Sequence, residues 1–321
     1  MLSRWNAKVN EVLAPLGLGT WAFGADFYPN QQRSDSIRTL HAAVRCGITH
    51  YDTAQGYGKG LSEQIVGQQL RRFKKEVPRE SYQIATKIFL PASVDQLETV
   101  IRRSLRRLCT PYVDILYIHW PDSTKDVSAY LAVCEQLRKK GLFLSLGLSN
   151  FPLYLLEASH RITEISWCQI PVSLVWTKSL LSLLPFCCAH HIHIAGYSPM
   201  GMGLLSGSYR DKDDFDTDDR RRKLFPMQER YHERFHDLLD ALQWTADRLS
   251  ITMGLCALLW ARRQPVSTVL FGARNRDQLY QAVSTDSVPY EPEDFVQVGT
   301  AAAALADLIP PEEDNPFFHR W

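Results

Sequence analysis

Short apolar runs recur along the chain, and each is followed by a longer segment in which apolar residues return every three or four positions. An apolar run bounded by turn residues is typical of a buried strand, and the three-to-four spacing is typical of an amphipathic helix. Helical spacing is clearest in segments 34–47 and 93–110, with Ser34 a predicted N-cap and Gly47 a predicted stop of the first. The pattern predicts strands at 14–20, 47–52, 82–87, 113–120, 142–150, 166–172, 191–198 and 266–273.

This alternation of strand and helix indicates a parallel sheet, because parallel strands need helical crossovers. Eight repeats without a Gly/Ser-rich linker predict a closed (β/α)₈ TIM barrel, a single domain over residues 1–321. The residues before Pro15 are too few for a domain and are predicted to close the bottom of the barrel. An open doubly wound sheet is the competing architecture, but its G-x-G-x-x-G fingerprint does not follow the first strand.

One connection is much longer than the others. About 70 residues separate the seventh and eighth predicted strands, and they include the strongly charged stretch 208–225, called the lid segment below. In a barrel, a segment that leaves the carboxyl end of a strand lies on the catalytic face. We therefore expect a candidate lid here, with a solvated, partly disordered loop as the alternative.

Composition restricts the class of protein. The chain has 321 residues, 45% of them hydrophobic and 22% charged, with a net charge of +1. No apolar stretch is long enough for a membrane span, the start lacks the pattern of a signal peptide, and no strong basic field is present to attract nucleic acid. These features predict a cytoplasmic globular protein that binds neither nucleic acid nor membrane.

The cysteines and the histidine cluster at 187–193 give no metal signature. Seven cysteines are scattered without a C-x-x-C pair, which is typical of a reducing compartment. The cluster CCAHHIH at 187–193 lies before the seventh predicted strand, at the bottom of a barrel, and no carboxylate or second ligand cluster stands at a usual spacing from it. We predict no metal site there.

Polar residues stand where the predicted strands end. The carboxyl ends of barrel strands converge on one mouth, so residues far apart in sequence meet there. Tyr57 follows the second strand, in a turn that Gly56 and Gly58 permit. The residues at the strand ends are Thr20, Trp21, Asp52, Lys87, His119, Ser149, Asn150, Gln169, Tyr197 and Gly272.

Four of these residues suit the protonation of a carbonyl oxygen. A tyrosine has a pKa of about 10, and a nearby ammonium such as Lys87 favours the phenolate and lowers that pKa. Asp52 would hold Lys87 charged and in place, while His119 would orient the carbonyl oxygen that Tyr57 protonates. Reduction also needs a hydride, which no side chain supplies, so a nicotinamide cofactor is predicted.

Seven stretches, in this order, resemble the landmarks of the aldo-keto reductase family. They are YDTAQGYGKGLSEQIVG (51–67), ATK (85–87), VDILYIHWPD (113–122), LGLSN (146–150), CQIPVSL (168–174), GYSPMGMGLLSG (196–207) and GARNRDQL (272–279). The resemblance covers nearly the whole chain. It implies a barrel that binds NADPH in an extended form and a catalytic tetrad of Asp52, Tyr57, Lys87 and His119.

The resemblance also implies which residues bind the cofactor. Ser149, Asn150 and Gln169 would bind the nicotinamide amide, and Tyr197 would stack on the ring. Arg274 would pair with the 2′-phosphate, which favours NADPH, and Gln278 would lie beside the adenine. The pyrophosphate and the remaining contacts would fall to Gly19, Thr20, Trp21, Asp52, Ser198, Pro199, Met200, Gly201, Gly203, Leu204 and Gly272.

Some residues differ from the family pattern, and aromatic residues surround the predicted mouth. Phe271 stands where the family commonly has a proline, and Ala282 stands where it has an asparagine. Aromatic residues around the predicted mouth favour small carbonyls or an aromatic substrate. The predicted substrate pocket is Trp21, Tyr57, Phe89, His119 and Trp120, and the further wall residues are Phe23, Phe27 and Tyr28.

The sequence thus predicts an NADPH-dependent reductase of aldehydes or ketones that works reversibly on a small carbonyl or alcohol, with Tyr57 as general acid and base. Two alternatives stay open. One is a redox-sensing binding subunit of the kind that similar barrels provide to potassium channels, and the other is an NAD-preferring sugar or polyol dehydrogenase. The oligomeric state is not predicted.

Overall fold

A computed structural model describes residues 13–26, 28, 30–310 and 315. The segment 1–12, predicted to close the bottom of the barrel, lies outside the described residues, as does the predicted wall residue Phe27. Where the description begins, the N–H of Ala14 donates to the carbonyl oxygen of Arg262 at 2.8 Å, and the Arg262 side chain donates back to the carbonyl of Ala14 at 2.9 Å.

Eight parallel strands form a closed barrel in chain order, with β8 paired to β1. The predicted (β/α)₈ barrel is therefore confirmed, and each predicted strand end lies within three residues of the observed one. The strands are β1 (Leu16–Gly19), β2 (His50–Asp52), β3 (Gln83–Ile88), β4 (Val113–Ile118), β5 (Phe143–Ser149), β6 (Trp167–Pro171), β7 (His193–Tyr197) and β8 (Thr268–Gly272).

The helices surround this barrel. Their bounds are α1 (Arg33–Arg45), α2 (Leu61–Arg72), α3 (Leu97–Arg107), α4 (Val127–Lys139), α5 (Leu153–His160), α6 (Lys178–Ala189), α7 (Glu229–Arg248), α8 (Met253–Arg262), α9 (Arg276–Ser284) and α10 (Val296–Leu308). Helix α3 shows why the spacing works: Leu97, Ile101 and Leu105 lie on one face and are buried against the core. Its arginines Arg102, Arg103 and Arg106 are exposed.

The predicted N-cap of the first helix is wrong, whereas its predicted stop is confirmed. The N–H groups of Asp35 and Ser36 both donate to the carbonyl of Gln32, so the helix starts one residue before Ser34. Ser34 is already inside the first turn and is not the cap. Gly47 follows the helix with φ of +76°, a left-handed conformation that glycine adopts at low cost.

Side chains fill the inside of the barrel. Ala85, Ile115, Tyr117, Trp167, Ala195 and Leu270 form a buried cluster within the ring of strands. The interior is therefore a packed core and not a pore, so access for a ligand is restricted to the ends of the strands. Among the described residues, no helix is both long enough and apolar enough to cross a membrane.

The long connection between β7 and β8 spans residues 198–267 and is folded. It holds α7 and α8 together with four short 3₁₀-helices, at Gly201–Ser206, Lys212–Asp214, Arg220–Lys223 and Phe225–Met227. Within the lid segment, Phe215 is buried against the core. The lid segment is thus a series of turns anchored by an apolar residue, with most of its charged side chains exposed.

Candidate active site

A cavity of about 970 Å³ opens at the carboxyl ends of the strands. Of the predicted site residues, Lys87, Gly201 and Leu204 lie behind its wall, whereas all the others line it. Residues that the sequence did not predict also line it, and they come mainly from the connection after β7. These are Ala22, Asp26, Gly56, Met202, Ser206, Ser208, Tyr209, Arg221, Thr252, Gly254, Leu255, Leu270, Phe271, Gln281 and Ala282.

A close contact between two backbone turns positions Tyr57. A Cβ at Gly58 would lie 2.2 Å from the carbonyl oxygen of Gly24, and Gly58 has a φ of +58°. Both features require glycine. The N–H of Gly58 also donates to the Asp26 carboxylate at 3.1 Å. Tyr57 therefore starts a 3₁₀ turn that packs directly against the turn after the neighbouring strand β1.

The Lys87 ammonium donates hydrogen bonds to three acceptors. Its ammonium donates to Asp52 Oδ1 at 2.5 Å, to the carbonyl of Thr53 at 3.0 Å and to the hydroxyl of Tyr57 at 3.1 Å. An ammonium has three protons, so none is left unpaired. Because Lys87 donates to the phenol oxygen, the phenol's own proton is free to point into the cavity. The predicted contact of Lys87 with both Asp52 and Tyr57 is what the structure contains.

Asp52 is held from its other side as well. The amide nitrogen of Gln169 donates to Asp52 Oδ2 at 2.8 Å, so the two carboxylate oxygens have separate partners. Asp52 is 3% exposed and Lys87 1% exposed. A buried ion pair is stable only when its remaining polar atoms are also satisfied, and Gln169 completes that requirement here.

Burial and charge act in opposite directions on the pKa of Tyr57. Burial raises it above its ordinary value, and this outweighs the lowering by Lys87. The predicted net lowering is therefore wrong for the cavity without ligands, although Lys87 does act in the expected direction. For Lys87, burial opposes the charge, but the carboxylate of Asp52 and the phenol keep its pKa raised. At neutral pH the phenol is protonated and the ammonium is charged.

His119 lies at the end of β4, across from Tyr57. Burial, with the nearby Lys87 ammonium, holds the pKa of His119 well below its usual range, so the imidazole is neutral. Its ring stacks on Phe89, with centroids 4.9 Å apart, and meets the ring of Tyr57 edge-on at 5.9 Å. Nδ1 is buried and has no hydrogen-bond partner among the described residues. The ring is thus oriented by aromatic packing.

The residues predicted for the nicotinamide share a hydrogen-bond network. The Asn150 amide donates to the carbonyl of His119 at 3.2 Å and to Ser149 Oγ at 2.9 Å, and its oxygen accepts from the Tyr197 hydroxyl at 2.7 Å. Asn150 has a φ of +64°, which is uncommon for a side chain other than glycine. The network ties the ends of β4, β5 and β7 together. Gln169 uses one N–H on Asp52 and keeps a second N–H and its amide oxygen for other partners.

Left-handed residues are frequent after β7. Ser198, Gly201, Met202 and Gly203 have φ values of 54°, 61°, 56° and 95°. The N–H groups of Gly201 and Gly203 donate within the turn, at 2.9 and 3.0 Å. Leu204 is completely buried. Of the predicted pyrophosphate residues, Ser198, Pro199, Met200 and Gly203 line the cavity, whereas Gly201 and Leu204 support it from behind.

The far end of the cavity carries Arg274. Its backbone N–H donates to the Gln278 side chain at 2.8 Å, and its carbonyl accepts from Gln31 at 2.8 Å. The Arg274 side chain is exposed and, among the described residues, forms no ion pair with a carboxylate. Its guanidinium lies 5.9 Å from the ring of Tyr28. The two residues that depart from the family pattern, Phe271 and Ala282, line this same end.

Arg221 lines the cavity, although its sequence pattern indicates a surface residue. It belongs to a run of three arginines and a lysine, which reads as a solvated surface. Its guanidinium donates to Asp219 at 2.7 Å and to the carbonyl of Met202 at 3.2 Å, and it lies 4.6 Å from the centroid of the Tyr209 ring. The aromatic residues Tyr209 and Phe215 between two charged stretches were the available signal. They stack in parallel, 4.1 Å apart.

The other wall and histidine predictions have separate outcomes. Tyr28, Phe89 and Trp120 line the cavity, but Phe23 is 1% exposed and packs in the core, so its assignment to the wall is wrong. The cluster 187–193 ends α6 and begins β7 at its amino end, away from the cavity as predicted.

Comparison with known proteins adds the family. Residues 15–302 match the model of the aldo/keto reductase family. The chain belongs to this family. It is 29% identical over 313 residues to the aldo-keto reductase YhdN of Bacillus subtilis, covering 92% of each chain. It is 28% identical over 318 residues to the NADH-specific methylglyoxal reductase of Escherichia coli, covering 91% of this chain and 96% of the relative.

A solved structure shares the fold of this aldo/keto reductase. The glycerol dehydrogenase AKR11B4 from Gluconobacter oxydans superposes with a TM-score of 0.80 at 25% identity, over 94% of this chain and 96% of the other. The chain is therefore an oxidoreductase of a family that supports carbonyl reduction, and the predicted resemblance is confirmed.

Proposed function

We propose that this protein reduces small aldehydes or ketones with NADPH, reversibly, and that Tyr57 transfers the proton. One observation carries the proposal. The hydrogen-bond chain from Asp52 through Lys87 to Tyr57 ends in a cavity that continues to Arg274, an arginine that forms no ion pair with a carboxylate among residues 13–26, 28, 30–310 and 315. Proton donor and phosphate partner therefore lie in one continuous space, which exceeds what a small carbonyl alone would fill.

The proton transfer follows from the state of the two polar groups at the mouth. Burial raises the pKa of Tyr57, so the phenol carries its proton at neutral pH and is able to act as an acid. When a carbonyl oxygen gains negative charge and takes that proton, the developing phenolate accepts from the Lys87 ammonium already in place at 3.1 Å. No reorganisation is needed at that moment, which is the condition for electrostatic catalysis.

His119 serves as a neutral donor in this proposal. Because burial holds the pKa of His119 well below its usual range, the ring is neutral at neutral pH and does not compete with Tyr57 as an acid. One N–H of the neutral ring would hold the carbonyl oxygen opposite the phenol. Stacking on Phe89 fixes the direction of that donor.

The residues present fit a nicotinamide nucleotide. Polar groups of Ser149, Asn150 and Gln169 lie at the tetrad end, and Arg274 and Gln278 lie at the other end of the same cavity. The bound nucleotide would supply the hydride that no side chain provides. Gln169 would bind the carboxamide through its amide oxygen or its second N–H, while its first N–H stays on Asp52.

Preference for NADPH rests on Arg274. A guanidinium pairs well with a phosphate because its donors match the phosphate oxygens in pairs. One relative at 28% identity is named as NADH-specific, so family membership alone does not choose between the nucleotides. The exposed guanidinium of Arg274 at the nucleotide end of the cavity is the feature of this chain that favours the 2′-phosphate.

Substitution of Tyr57 by phenylalanine tests the mechanism. Tyr57→Phe removes one hydroxyl and keeps the ring against Trp21, whose centroid lies 6.3 Å away. We expect kcat for aldehydes to fall by about 10²-fold or more, since a positioned general acid contributes about 10²–10⁴-fold. NADPH binding, followed by nucleotide fluorescence, should change little. Tyr154→Phe, at a tyrosine 68% exposed on α5, is the matched control. Retention of most activity by Tyr57→Phe would refute the assignment.

The oxidation of a small alcohol or polyol is a second candidate direction. The likeness to a glycerol dehydrogenase favours it, and the same groups serve with Tyr57 as base. Rates measured in both directions, with glycerol and with methylglyoxal, would establish which direction has the higher kcat/KM.

A further inference from the structure

A second cluster of side chains that bind metals well lies where α7 meets the lid segment. Asp211, His232 and His236 each present one ligand atom, and these atoms all lie within 4.8 Å of one another. We propose that the cluster binds a divalent transition-metal ion of the zinc, cobalt or nickel class. The ligands would be the Nε2 atoms of the two histidines and a carboxylate oxygen of Asp211.

The two histidines are arranged for chelation. They stand four residues apart on α7, so they share one face of the helix. Their ring centroids are 4.0 Å apart. The His232 Nε2 is hydrogen-bonded to Asp211 Oδ1. The His236 Nε2 is hydrogen-bonded to the carbonyl of Arg210 at 3.2 Å and lies 3.8 Å from that same Asp211 oxygen. Both nitrogens therefore already face one carboxylate, and imidazole with carboxylate is a ligand set that zinc and its neighbours accept.

The backbone holds Asp211 in place for this role. It caps the short helix Lys212–Asp214, and the Asp214 side chain accepts from the N–H groups of Asp211 and Arg210 at 2.8 and 2.7 Å. These bonds fix the backbone of Asp211, so the residue that carries the ligand carboxylate is held in place. The Arg210 guanidinium donates to Asp240 at 2.7 Å, so that positive charge is already paired.

The sequence contains a matching signal. Residues 232–236 read HERFH, the H-E-x-x-H spacing that puts two metal-binding histidines on one helix face. In hydrolytic enzymes the glutamate of that motif activates water. Here the three ligand side chains are 29–51% exposed, and a surface site does not exclude water from a reacting substrate. The proposal is therefore confined to metal binding.

Binding would connect the lid segment to the helix. Asp211 belongs to the lid segment, whereas both histidines belong to α7. Tyr209, two residues before Asp211, lines the active-site cavity and lies under the Arg221 guanidinium at 4.6 Å. An ion held by all three ligands would restrain Asp211 against α7, and with it this part of the cavity wall.

Titration with Co²⁺ tests the site. The full chain, prepared without a histidine tag, should bind one equivalent and show d–d absorption without a thiolate charge-transfer band. His232→Gln and His236→Gln should each weaken binding by about tenfold or more, because each removes a ligand. Glu233→Gln, exposed between the two ligands, is the matched control and should bind like the wild type. A thiolate band, which would point to exposed Cys109 or Cys188, overturns the proposal, as does unchanged affinity in both histidine variants.

Limited proteolysis tests the connection. Trypsin cleaves after Arg210 and Lys212, on both sides of the Asp211 ligand. Zn²⁺ should slow cleavage at these bonds in the wild type and in Glu233→Gln, but not in Asp211→Asn. Equal slowing in Asp211→Asn would place the effect outside the site and overturn the connection, and the absence of slowing in the wild type would do the same.

Discussion

Substitution of Lys87 by methionine is the sharpest test of how the tetrad is held. Methionine is similar in length but carries no charge, so the change removes the ammonium and leaves the chain packed. Asp52 is then a carboxylate at 3% exposure without its ion-pair partner, which stood 2.5 Å away. Removal of one partner from a buried pair costs about 3–5 kcal/mol, because the remaining charge is left uncompensated. We expect that loss in the free energy of unfolding, which is typically only about 5–15 kcal/mol in total.

The assay is urea unfolding, followed by circular dichroism. A second variant separates the charge effect from a packing effect. Asp52→Asn in the Lys87→Met background removes the orphaned charge and leaves an amide oxygen that still accepts from Gln169. This double variant should recover a large part of the lost stability, since pairs replaced together are often close to neutral.

An exposed pair gives the matched control. Arg102 and Glu98 form an i,i+4 pair on α3, with side chains 49% and 32% exposed. Arg102→Met should cost no more than about 0.5 kcal/mol, because water screens surface pairs. The reasoning would be refuted if Lys87→Met were as stable as the wild type, or if the double variant were no more stable than Lys87→Met alone.

Three further predictions follow from the site. Gly58→Ala should lower kcat and should lower the free energy of unfolding by about 1–3 kcal/mol, because a Cβ would lie 2.2 Å from the Gly24 carbonyl at a φ of +58°. Gly299→Ala is the control and should not destabilise the protein, because nothing lies within 4 Å of a Cβ there. Equal effects of the two variants in urea melts would contradict this prediction. Because the folded pKa of His119 is depressed, its neutral form contributes stability above about pH 6.5. That stability is lost as the pH falls, at up to about 1.4 kcal/mol per pH unit. His119→Gln should show a shallower loss of stability between about pH 6.5 and 5, and an unchanged slope of stability against pH would count against this prediction. Arg274→Ala should weaken NADPH binding about tenfold or more and leave NADH binding nearly unchanged, as measured by fluorescence titration with both nucleotides. An unchanged ratio of the two affinities would remove the reason for preferring NADPH.

Patterns in the sequence were enough to predict the barrel and to select the four residues of the predicted tetrad. Alternating apolar runs and helical spacing predicted the number, order and parallel direction of the strands, because these depend on periodicity and on the rule that parallel strands need crossovers. The four residues predicted as a tetrad were selected by their chemistry, by the family resemblance and by position, since residues at the ends of barrel strands converge whatever lies between them. Strand ends were less certain, by up to three residues, since backbone pairing across the sheet decides where a strand stops.

Other features depended on contacts that sequence spacing does not contain. The cap at Ser34 was wrong because the carbonyl of Gln32 accepts the first helical N–H groups, an alternative that the residue types did not distinguish. Arg221 reads as a surface residue until the lid segment folds and brings it over Tyr209 and next to Met202. The pairing of His236 with Asp211 was equally hidden, because 25 positions separate them in the chain.

The sequence by itself determined a barrel, its catalytic mouth and the residue types that meet there. Only the tertiary structure determined the protonation state of these residues. Burial of Tyr57 and His119 sets the direction in which their pKa values move, and it reversed the sign expected for Tyr57 from Lys87 alone. The physical reason is that desolvation depends on every atom packed around a group. A charge partner is visible as a residue in a motif, whereas exclusion of water is a property of the whole fold.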